Sequence, residues 1–304
     1  MIKEVGIIGL GKMGGNLARR LSGLGWKVVG YNRSPEDTKE LEKEGITGAY
    51  SHEELVSLLT PPRTIIIILP AGEATGSAIA SFSKLLEKGD IVVDAANGFY
   101  KDAIERSKKI NSLGINFIDV GISGGPGGAL NGACLMVGGE KEVYDALYPL
   151  FKDMAKPKGV MHFEGIGAGH FAKMVHNGIE YGMMQSIAEG FTILKESDYK
   201  YDLEKVTEIY NTGSVIESRL VGWLHESFQK YGNDLEALSG AVGFNGEGEW
   251  TAKVGHEMGI DVTSIQNAVD FRKKSQDNPS FMGKLVTAMR HAFGGHSIER
   301  GKMT

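Results

Sequence analysis

The chain has 304 residues, of which 41% are hydrophobic and 23% are charged, a composition typical of a folded globular protein with room for two domains. Its formal net charge of -5 excludes a basic surface of the kind that binds nucleic acid or an anionic membrane. The single cysteine, Cys134, excludes an internal disulfide framework and a cysteine-rich zinc site. The longest apolar run, residues 65–69, is far shorter than a membrane span, and the N-terminus lacks the pattern of a secretory signal. We therefore expect a cytoplasmic protein with neither nucleic acid nor a membrane as a partner.

The first half of the chain alternates short runs of β-branched residues with stretches of helical periodicity. Continuous apolar strands separated by helices are typical of a parallel sheet covered on both faces. The pattern therefore predicts an α/β fold, a doubly wound Rossmann-type parallel-sheet domain that we place at residues 1–164. The predicted strands are residues 5–8, 27–31, 64–69, 91–94, 117–120 and 134–137, and the predicted helices between them include residues 16–25, 35–44 and 100–113.

After Gly165 the strand-like runs disappear and long amphipathic stretches follow. Turn-forming glycines between positions 159 and 169 mark the boundary, and the first helix beyond them is unusually long. We predict an all-helical C-terminal domain at residues 165–304. Its predicted helices are residues 168–197, 203–211, 218–230, 250–259, 262–275 and 280–293.

A glycine fingerprint lies where the first strand is predicted to give way to the first helix. The first two glycines allow a tight turn and close approach of the backbone to a pyrophosphate, and the third allows the helix to pack on the strand. The helix N-terminus attracts the negative charge. The alternative is a glycine turn with a purely structural role, which the strand-turn-helix context disfavours. The predicted cofactor contacts here are Gly9, Leu10, Gly11, Lys12, Met13 and Gly14.

The residues at the end of the second strand bear on which nicotinamide cofactor is used. An Asp or Glu there would bond the ribose 2'-hydroxyl of NAD, whereas this chain has Asn32, Arg33 and Ser34, and an arginine suits the 2'-phosphate of NADP. NADP is therefore favoured. NAD is the alternative, because Arg33 could instead face solvent and Glu36 or Asp37 could serve NAD.

The long helix that opens the second domain carries a polar face. Lys173, His176, Asn177, Glu180 and Tyr181 fall at offsets of 3, 4, 7 and 8 residues, which project from one side of a helix. Such a face is either solvated, since Lys and Glu neighbours commonly stabilise exposed helices, or the floor of a site. Two glycines in the same stretch would weaken a helix that has only to be stable, and they favour the site. These glycines are Gly178 and Gly182, and Met174, Val175 and Ile179 are predicted to lie opposite the polar face.

The same stretch carries a resemblance to a known family. The run from Lys173 to Gly182, Lys-Met-Val-His-Asn-Gly-Ile-Glu-Tyr-Gly, closely resembles the signature of decarboxylating 6-phosphogluconate dehydrogenases, members of the β-hydroxyacid dehydrogenase superfamily. The resemblance spans essentially the whole chain, in the order expected of the short form of the family, which has a single set of C-terminal helices. Further matching stretches are Asp-Ala-Ala-Asn at 94–97, Ile-Ser-Gly-Gly at 122–125, Gly-Glu-Gly-Glu-Trp-Thr at 246–251 and Arg-His-Ala-Phe-Gly-Gly-His at 290–296.

The resemblance implies oxidative decarboxylation of 6-phospho-D-gluconate to D-ribulose 5-phosphate and carbon dioxide, with Lys173, Glu180 and Asn177 as the catalytic residues. In this scheme Lys173 takes the proton of the C3 hydroxyl while hydride leaves C3 for the nicotinamide. The protonated lysine then polarises the 3-keto group, and carbon dioxide is lost. This role requires a lysine pKa lowered toward neutrality by desolvation or by nearby positive charge. Glu180 would then protonate the carbon that becomes C1 of ribulose 5-phosphate. The scheme requires no metal.

The resemblance also implies a set of binding residues. Two arginines and a tyrosine are in their own right good donors to an oxyanion, whereas a single histidine is more often a structural or surface residue. Leu69, Pro70, Ala71 and Asn97 are expected to contact the cofactor. The expected substrate contacts are Asn97, Ser123, Gly124, Gly125, His176 and Asn177 around the sugar acid, and Tyr181, Arg272, Arg290 and His296 around its phosphate.

One departure from the longer members of the family concerns the phosphate. Those members carry a lysine to it from the loop before the 246–251 motif, where this chain has Asn245. Either the short form compensates elsewhere, or the terminal group of the substrate differs. A sulfonate or an unphosphorylated sugar acid would be such a substrate.

Two other functions are alternatives. A non-decarboxylating β-hydroxyacid dehydrogenase would share the fold, the fingerprint and the lysine, but would have no need of Glu180 or of the 290–296 stretch. A non-catalytic dinucleotide-sensing or chromatin-interaction module would tolerate the loss of Lys173. Because the family usually completes its site with the C-terminal tail of a second subunit, we also expect a homodimer or a dimer of dimers.

Overall fold

The computed structural model describes residues 3–244 and 246–298. The chain divides into two compact units, Met1–Met174 and Val175–Thr304. None of the described helices combines the length and the apolar character that crossing a membrane requires.

The first unit is built on a sheet whose eight strands are β1 (Glu4–Ile8), β2 (Lys27–Tyr31), β3 (Thr47–Ala49), β4 (Thr64–Ile67), β5 (Ile91–Asp94), β6 (Asn116–Ser123), β7 (Ala133–Gly139) and β8 (Ala155–Glu164). Their spatial order is β3-β2-β1-β4-β5-β6-β7-β8. Strands β1 to β6 are parallel, β7 is antiparallel to β6, and β8 is parallel to β7. The predicted doubly wound α/β architecture is confirmed.

Helices cover both faces of this sheet. Successive residues of β4 alternate between the two faces, so that Ile66 packs in one core cluster while Ile65 and Ile67 pack in the other. All three isoleucines are completely buried. The helices are α1 (Lys12–Gly23), α2 (Pro35–Glu42), α3 (His52–Ser57), α4 (Glu73–Phe82), α5 (Tyr100–Ser112), α6 (Gly125–Asn131) and α7 (Lys141–Met154).

All six predicted strands are present, and two further strands, β3 and β8, were not predicted. β3 has three residues and contains Gly48, which is too short a run to show a period. β8 opens with Lys156, Pro157 and Lys158, which are exposed at the edge of the sheet. Charged residues and proline are common on edge strands, because one side of such a strand has no partner in the ladder.

The second unit is helical throughout its described residues, as predicted. Its core gathers apolar side chains from several helices, among them Phe191, Leu224 and Leu285. Helix α8 contains the division point between the two units, and α11 begins at Glu247 rather than at the predicted Trp250. The helices are α8 (Ala168–Glu196), α9 (Leu203–Tyr210), α10 (Arg219–Tyr231), α11 (Glu247–Glu257), α12 (Thr263–Ser275) and α13 (Phe281–Gly294).

Candidate active site

The glycine fingerprint forms a tight turn between β1 and α1. Gly9 has a φ of +88°, and a Cβ placed there would lie 2.1 Å from the Ile68 carbonyl oxygen. A Cβ on Gly14 would lie 1.8 Å from the Gly9 carbonyl oxygen, whereas one on Gly11 would meet nothing within 4 Å. The turn therefore leaves open space at the N-terminus of α1, which is the arrangement that accepts a pyrophosphate. The predicted contacts Leu10, Lys12 and Met13 lie in this turn and at the start of the helix.

Asn32, just after β2, joins the fingerprint to α2. Its side-chain oxygen accepts a hydrogen bond from the Leu10 backbone N–H at 3.1 Å, and its amide nitrogen donates to the Asp37 carboxylate at 2.6 Å. Asp37 is therefore engaged within the protein. Arg33 and Ser34 are exposed, and the Ser34 side chain makes no capping bond to α2.

The loops after β4 and β5 leave the same edge of the sheet as the fingerprint, because Ile67 pairs with Ile8 on one side and with Asp94 on the other. Arg106 ties the two loops together, donating to the Asp94 carboxylate at 3.2 Å and to the Gly72 carbonyl at 3.0 Å. The strand order reverses between β1 and β4, and α/β sheets bind ligands at such a point. The predicted contacts Leu69, Pro70, Ala71 and Asn97 all lie in these two loops.

Ser123, Gly124 and Gly125 connect β6 to α6. Gly124 and Gly125 have φ values of +128° and +61°, which residues other than glycine rarely adopt. Asn16 of α1 donates its side-chain amide to the Pro126 carbonyl oxygen at 3.0 Å. This bond fixes the loop to the helix that carries the fingerprint.

Lys173 lies in the part of α8 that belongs to the first unit. The start of this helix is capped by the Asp119 carboxylate, which accepts the backbone N–H groups of Gly167 at 2.6 Å and His170 at 2.7 Å. Burial raises the pKa of Asp119, against the opposing effects of His170 and of the two N–H bonds. Lys173 itself is 9% exposed, and its stem lies directly over Gly121, where an added Cβ would be 2.3 Å from the Lys173 Cβ.

Beyond the division point, α8 carries three polar side chains that the structure brings together. His176 Nδ1 donates to Asn177 Oδ1 at 3.1 Å and lies 3.7 Å from Glu180 Oε2. Asn177 is buried and Glu180 partly buried, while Ile179 on the other side of the helix is 54% exposed. Met174, predicted to lie opposite the polar face, is buried as well.

The second unit buries two arginines close to Tyr181. Arg272 of α12 and Arg290 of α13 are 1% and 7% exposed, and the Arg272 guanidinium carbon lies 3.3 Å from the centroid of the Tyr181 ring. Burial lowers the pKa of Arg272 to about 10, with Tyr181 counteracting and Arg290 adding to the effect, so that Arg272 stays charged at neutral pH. Burial likewise lowers the pKa of Arg290. Within the described part of the chain, Arg272 Nη1 has no hydrogen-bond partner, and a buried, charged donor of this kind suits an anion.

Glu247, at the start of α11, belongs to the same group but was not predicted as a site residue. It is 6% exposed and accepts a hydrogen bond from the Tyr181 hydroxyl at 3.4 Å. A Cβ on Gly248 would lie 2.3 Å from the Tyr181 ring, and one on Gly178 would lie 2.5 Å from the Thr251 side chain. The 246–251 motif and α8 therefore pack against each other through glycines.

The NAD binding domain of 6-phosphogluconate dehydrogenase matches residues 4–167, and the 6-phosphogluconate dehydrogenase C-terminal domain matches residues 169–281. The chain belongs to the 6-phosphogluconate dehydrogenase family. It is an oxidoreductase whose cofactor is a nicotinamide dinucleotide, and the glycine turn described above has the shape that this cofactor needs. The family membership predicted from the 173–182 signature is confirmed.

Several family members resemble this chain over most of its length. YqeC of Bacillus subtilis, which bears a provisional 6-phosphogluconate dehydrogenase name, is 39% identical over 98% of this chain and 99% of its own. An NAD(+)-dependent, decarboxylating 6-phosphogluconate dehydrogenase of Haloferax volcanii is 35% identical over 98% of this chain and 99% of its own. The structure of the Plasmodium falciparum enzyme, determined with NADP+ and with 6-phosphogluconate, superposes with a TM-score of 0.80 at 33% identity. This chain is 90% covered by that match but spans only 62% of the Plasmodium chain.

His296 and Asn245 are the remaining residues discussed for the predicted phosphate end. His296 follows α13 and folds back on it, with its ring centroid 5.8 Å from that of Phe293. Its carbonyl oxygen accepts a hydrogen bond from His291 Nδ1 at 2.8 Å. Asn245, which the sequence analysis set against a lysine, lies outside the described residues.

Asp119 and His170 are buried polar residues that the sequence reasoning missed. Asp119 interrupts the apolar run predicted as a strand at 117–120, and a charge at such a position is the signal that could have identified it. His170 carries no comparable signal, because a single histidine near the start of a helix is commonplace. Both residues hold the first turn of α8, as their hydrogen bonds show.

Proposed function

We propose that this enzyme oxidises and decarboxylates 6-phospho-D-gluconate to D-ribulose 5-phosphate and carbon dioxide, with reduction of NADP. The observation that carries the proposal is the arrangement of α8, in which Lys173, Asn177 and Glu180 stand at helical spacing on one side of a single continuous helix. Seven residues of α-helix rise about 10 Å. Two long side chains at that separation can reach neighbouring carbons of one sugar acid, and the asparagine between them can hold it.

Lys173 is proposed as the base for the first step. The residue is 9% exposed, and only a neutral amine can accept the C3 hydroxyl proton. When bound, the nicotinamide supplies the hydride acceptor for C3. The resulting lysine ammonium then donates its proton to the 3-keto oxygen as the carboxylate departs as carbon dioxide, which leaves an enediol.

Glu180 is proposed as the acid for the last step. It protonates C1 of the enediol, which was C2 of the sugar acid, while Lys173 takes back the proton of the C2 hydroxyl, and this gives the ketose. Its carboxyl group lies 3.7 Å from His176 Nδ1, a partner that can restore its proton between turnovers. Asn177, bonded to the same histidine nitrogen, is proposed to orient the substrate. Asn97, Ser123, Gly124 and Gly125 are proposed to hold the sugar acid and its carboxylate.

The terminal phosphate is proposed to bind between Arg272 and Arg290, near Tyr181. A guanidinium presents paired donors that match a phosphate, and such bonds are stronger where water is excluded. The unpartnered Arg272 Nη1 is the donor that the phosphate would satisfy. His296 is proposed to contribute from the turn after α13.

The preference for NADP over NAD rests on Arg33 and Ser34. Both are exposed just beyond β2, while Asp37, one of the two acidic candidates for NAD, is bonded to Asn32 at 2.6 Å. An arginine free to move in solvent can pair with a 2'-phosphate. Comparing kcat/KM for NADP and NAD tests this choice, and a strong preference for NAD would contradict it.

The reaction is tested by measuring reduced cofactor and released carbon dioxide together, with 6-phosphogluconate labelled at C1. We expect one carbon dioxide for each cofactor reduced, and no turnover by the Lys173→Met variant, which should still bind NADP. Cofactor reduction without carbon dioxide would identify a β-hydroxyacid dehydrogenase instead. Gluconate and 6-deoxy-6-sulfogluconate should be run in parallel to identify the terminal group. Turnover of either one would show that phosphate is not required.

Residues 1–164 are proposed to bind the cofactor, and residues 165–304 are proposed to bind the substrate and to form the dimer interface. A homodimer or a dimer of dimers stays a prediction. Light scattering on the eluting peak of a gel-filtration column would establish the mass of the assembly.

A further inference from the structure

His170 is a buried histidine outside the set of residues proposed above to touch substrate or cofactor. It lies in the first turn of α8, three residues before Lys173, and is 1% exposed. Its backbone N–H donates to Asp119 Oδ2 at 2.7 Å. Its ring faces in another direction, toward the segment that follows β5.

The ring makes one hydrogen bond, and that bond places a proton on Nε2. His170 Nε2 lies 3.1 Å from the carbonyl oxygen of Asp94. Because a carbonyl oxygen can only accept, Nε2 must carry a proton and donate it. The Nδ1 atom of the ring is buried and has no hydrogen-bond partner among the described residues.

An imidazole with one nitrogen unsatisfied is a poor choice for filling space. Leaving a buried polar atom unpaired costs about 1–3 kcal/mol, a cost that an apolar side chain of similar size would avoid. The Nε2–H bond is therefore the feature that distinguishes His170 from a packing residue. It joins two segments, one carrying Lys173 and the other carrying Asn97.

Both ends of this bond are rigid. Asp94 is completely buried, accepts Arg106 at 3.2 Å and receives the Ala96 backbone N–H at 3.2 Å. On the helix side, a Cβ on Gly98 would come within 4.0 Å of the His170 Cε1 atom, so the ring rests on the 94–98 segment. The first turn of α8 is therefore held at two points, by the Asp119 carboxylate on its backbone and by the Asp94 carbonyl on the His170 ring.

We propose that His170 is a positioning residue, whose Nε2–H bond to the Asp94 carbonyl sets the rotation of α8 and so places the Lys173 amine relative to Asn97. This proposal rests on the proposed function in that Lys173 is the base. At the outer radius of a helix, about 5–6 Å, a rotation of about 10° moves a side chain by about 1 Å. A displacement of that size in a catalytic group can lower a rate by about 100-fold.

The test uses two amides that mimic different nitrogens of the ring. In His170→Gln the amide nitrogen can reach the position of Nε2 and keep the bond to Asp94, whereas in His170→Asn the shorter side chain places its amide near Nδ1 and loses it. We expect kcat of the Gln variant to stay close to wild type and kcat of the Asn variant to fall by about tenfold or more. The dissociation constant for NADP should be unchanged in both.

A second readout separates positioning from a loss of stability. With substrate deuterated at C3, the isotope effect on kcat should rise in His170→Asn, because a displaced base slows the hydride-transfer step. Equal activity of the two variants, whether high or low, would overturn the proposal. So would a loss in the Asn variant that appears only in thermal stability.

Nitrogen NMR of the wild-type protein with labelled histidine tests the proposal without a variant. We expect the spectrum to show a proton on Nε2 of His170, and an Nδ1–H tautomer with a bare Nε2 would overturn the assignment. If the wild-type enzyme releases no carbon dioxide from 6-phosphogluconate, the proposed function fails. The comparison of Gln with Asn and the tautomer then still decide the role of His170 with whichever hydroxyacid is turned over.

Discussion

Adding one methyl group at Gly121 would test whether the seat of Lys173 determines the rate. Gly121 lies in β6, and a Cβ built on it would be 2.3 Å from the Lys173 Cβ, 2.9 Å from its Cγ and 3.1 Å from the Gly169 carbonyl oxygen. Carbon atoms in favourable contact are about 3.5–4.0 Å apart. The Gly121→Ala variant must therefore push the lysine stem, or the strand beneath it, by more than about 1 Å.

The magnitude follows from that displacement. Moving a catalytic group by about 1 Å can cost about 100-fold in rate, which corresponds to roughly 3 kcal/mol of transition-state stabilisation. Overpacking a well-filled site costs a further 1–3 kcal/mol or so of folding stability. We expect kcat for 6-phosphogluconate to fall by about 100-fold while the affinity for NADP, whose contacts lie elsewhere, is unchanged.

Gly23→Ala provides the matched control. Gly23 ends α1, and a Cβ there would meet nothing within 4 Å, so the same chemical change carries no steric cost. Steady-state kinetics with 6-phosphogluconate, NADP titration by fluorescence and thermal unfolding should be measured on both variants. A Gly121→Ala enzyme that folds and retains the kcat of wild type would refute the argument that the contact with Gly121 fixes the lysine.

Three further changes probe other parts of the proposed site. Glu180→Gln should slow ribulose 5-phosphate formation more than cofactor reduction in single-turnover measurements, and equal slowing of both would argue against its role as the final acid. Arg272→Ala should raise KM for the phosphorylated substrate by about 10–100-fold, as expected for charge-assisted bonds of about 1.5–3 kcal/mol, with a smaller effect on unphosphorylated gluconate. Because burial raises the pKa of Asp119, its stabilising contribution is complete below the unfolded value of 3.8 and is lost as pH rises through the folded value. Urea unfolding should therefore show the stability of wild type, relative to Asp119→Asn, decreasing as pH rises across that window, and an increase would contradict it.

The central strands of the first unit were predictable because strands buried on both faces consist of continuous apolar, β-branched residues. Ile65, Ile66 and Ile67 are fully buried on both faces, and a continuous β-branched run is the sequence consequence. The edge strand β8 had no such requirement, since Lys156 and Lys158 are exposed there. Its pairing with β7 is a long-range event that local pattern does not encode.

The helical spacing of the polar residues on α8 was predictable for a similar reason, since offsets along one helix follow from its period. The reason for its glycines was not. Gly178 had been interpreted as a residue that weakens the helix in favour of a site. The structure shows that it lets Thr251 approach, since an added Cβ would lie 2.5 Å from that side chain. Gly182, by contrast, has open space around its Cβ position, and no contact in the structure explains it.

The residues that sequence reasoning missed share one property, which is that their roles depend on burial between distant segments. Asp119 and His170 become significant only once β6, β5 and the first turn of α8 are seen together. Glu247 was visible within the 246–251 motif, but its proximity to Tyr181 depends on how α11 packs in the second unit. A motif shows which residue types recur, whereas the partner that each side chain meets is set by the fold.

The charge balance around Tyr181, where the phosphate is proposed to bind, bears on whether a further cation is needed there. Arg272 and Arg290 are already buried in one unit, and Glu247 at 6% exposure lies among them as a resident counter-charge. Desolvated guanidinium groups form stronger bonds to an anion than a solvated ammonium does, because the local dielectric constant is lower. We therefore expect anion binding at this end to depend on how well the arginines are held, as Arg272 is by the Tyr181 ring at 3.3 Å, rather than on the number of cations. On this argument two arginines suffice to hold the proposed terminal phosphate in this chain.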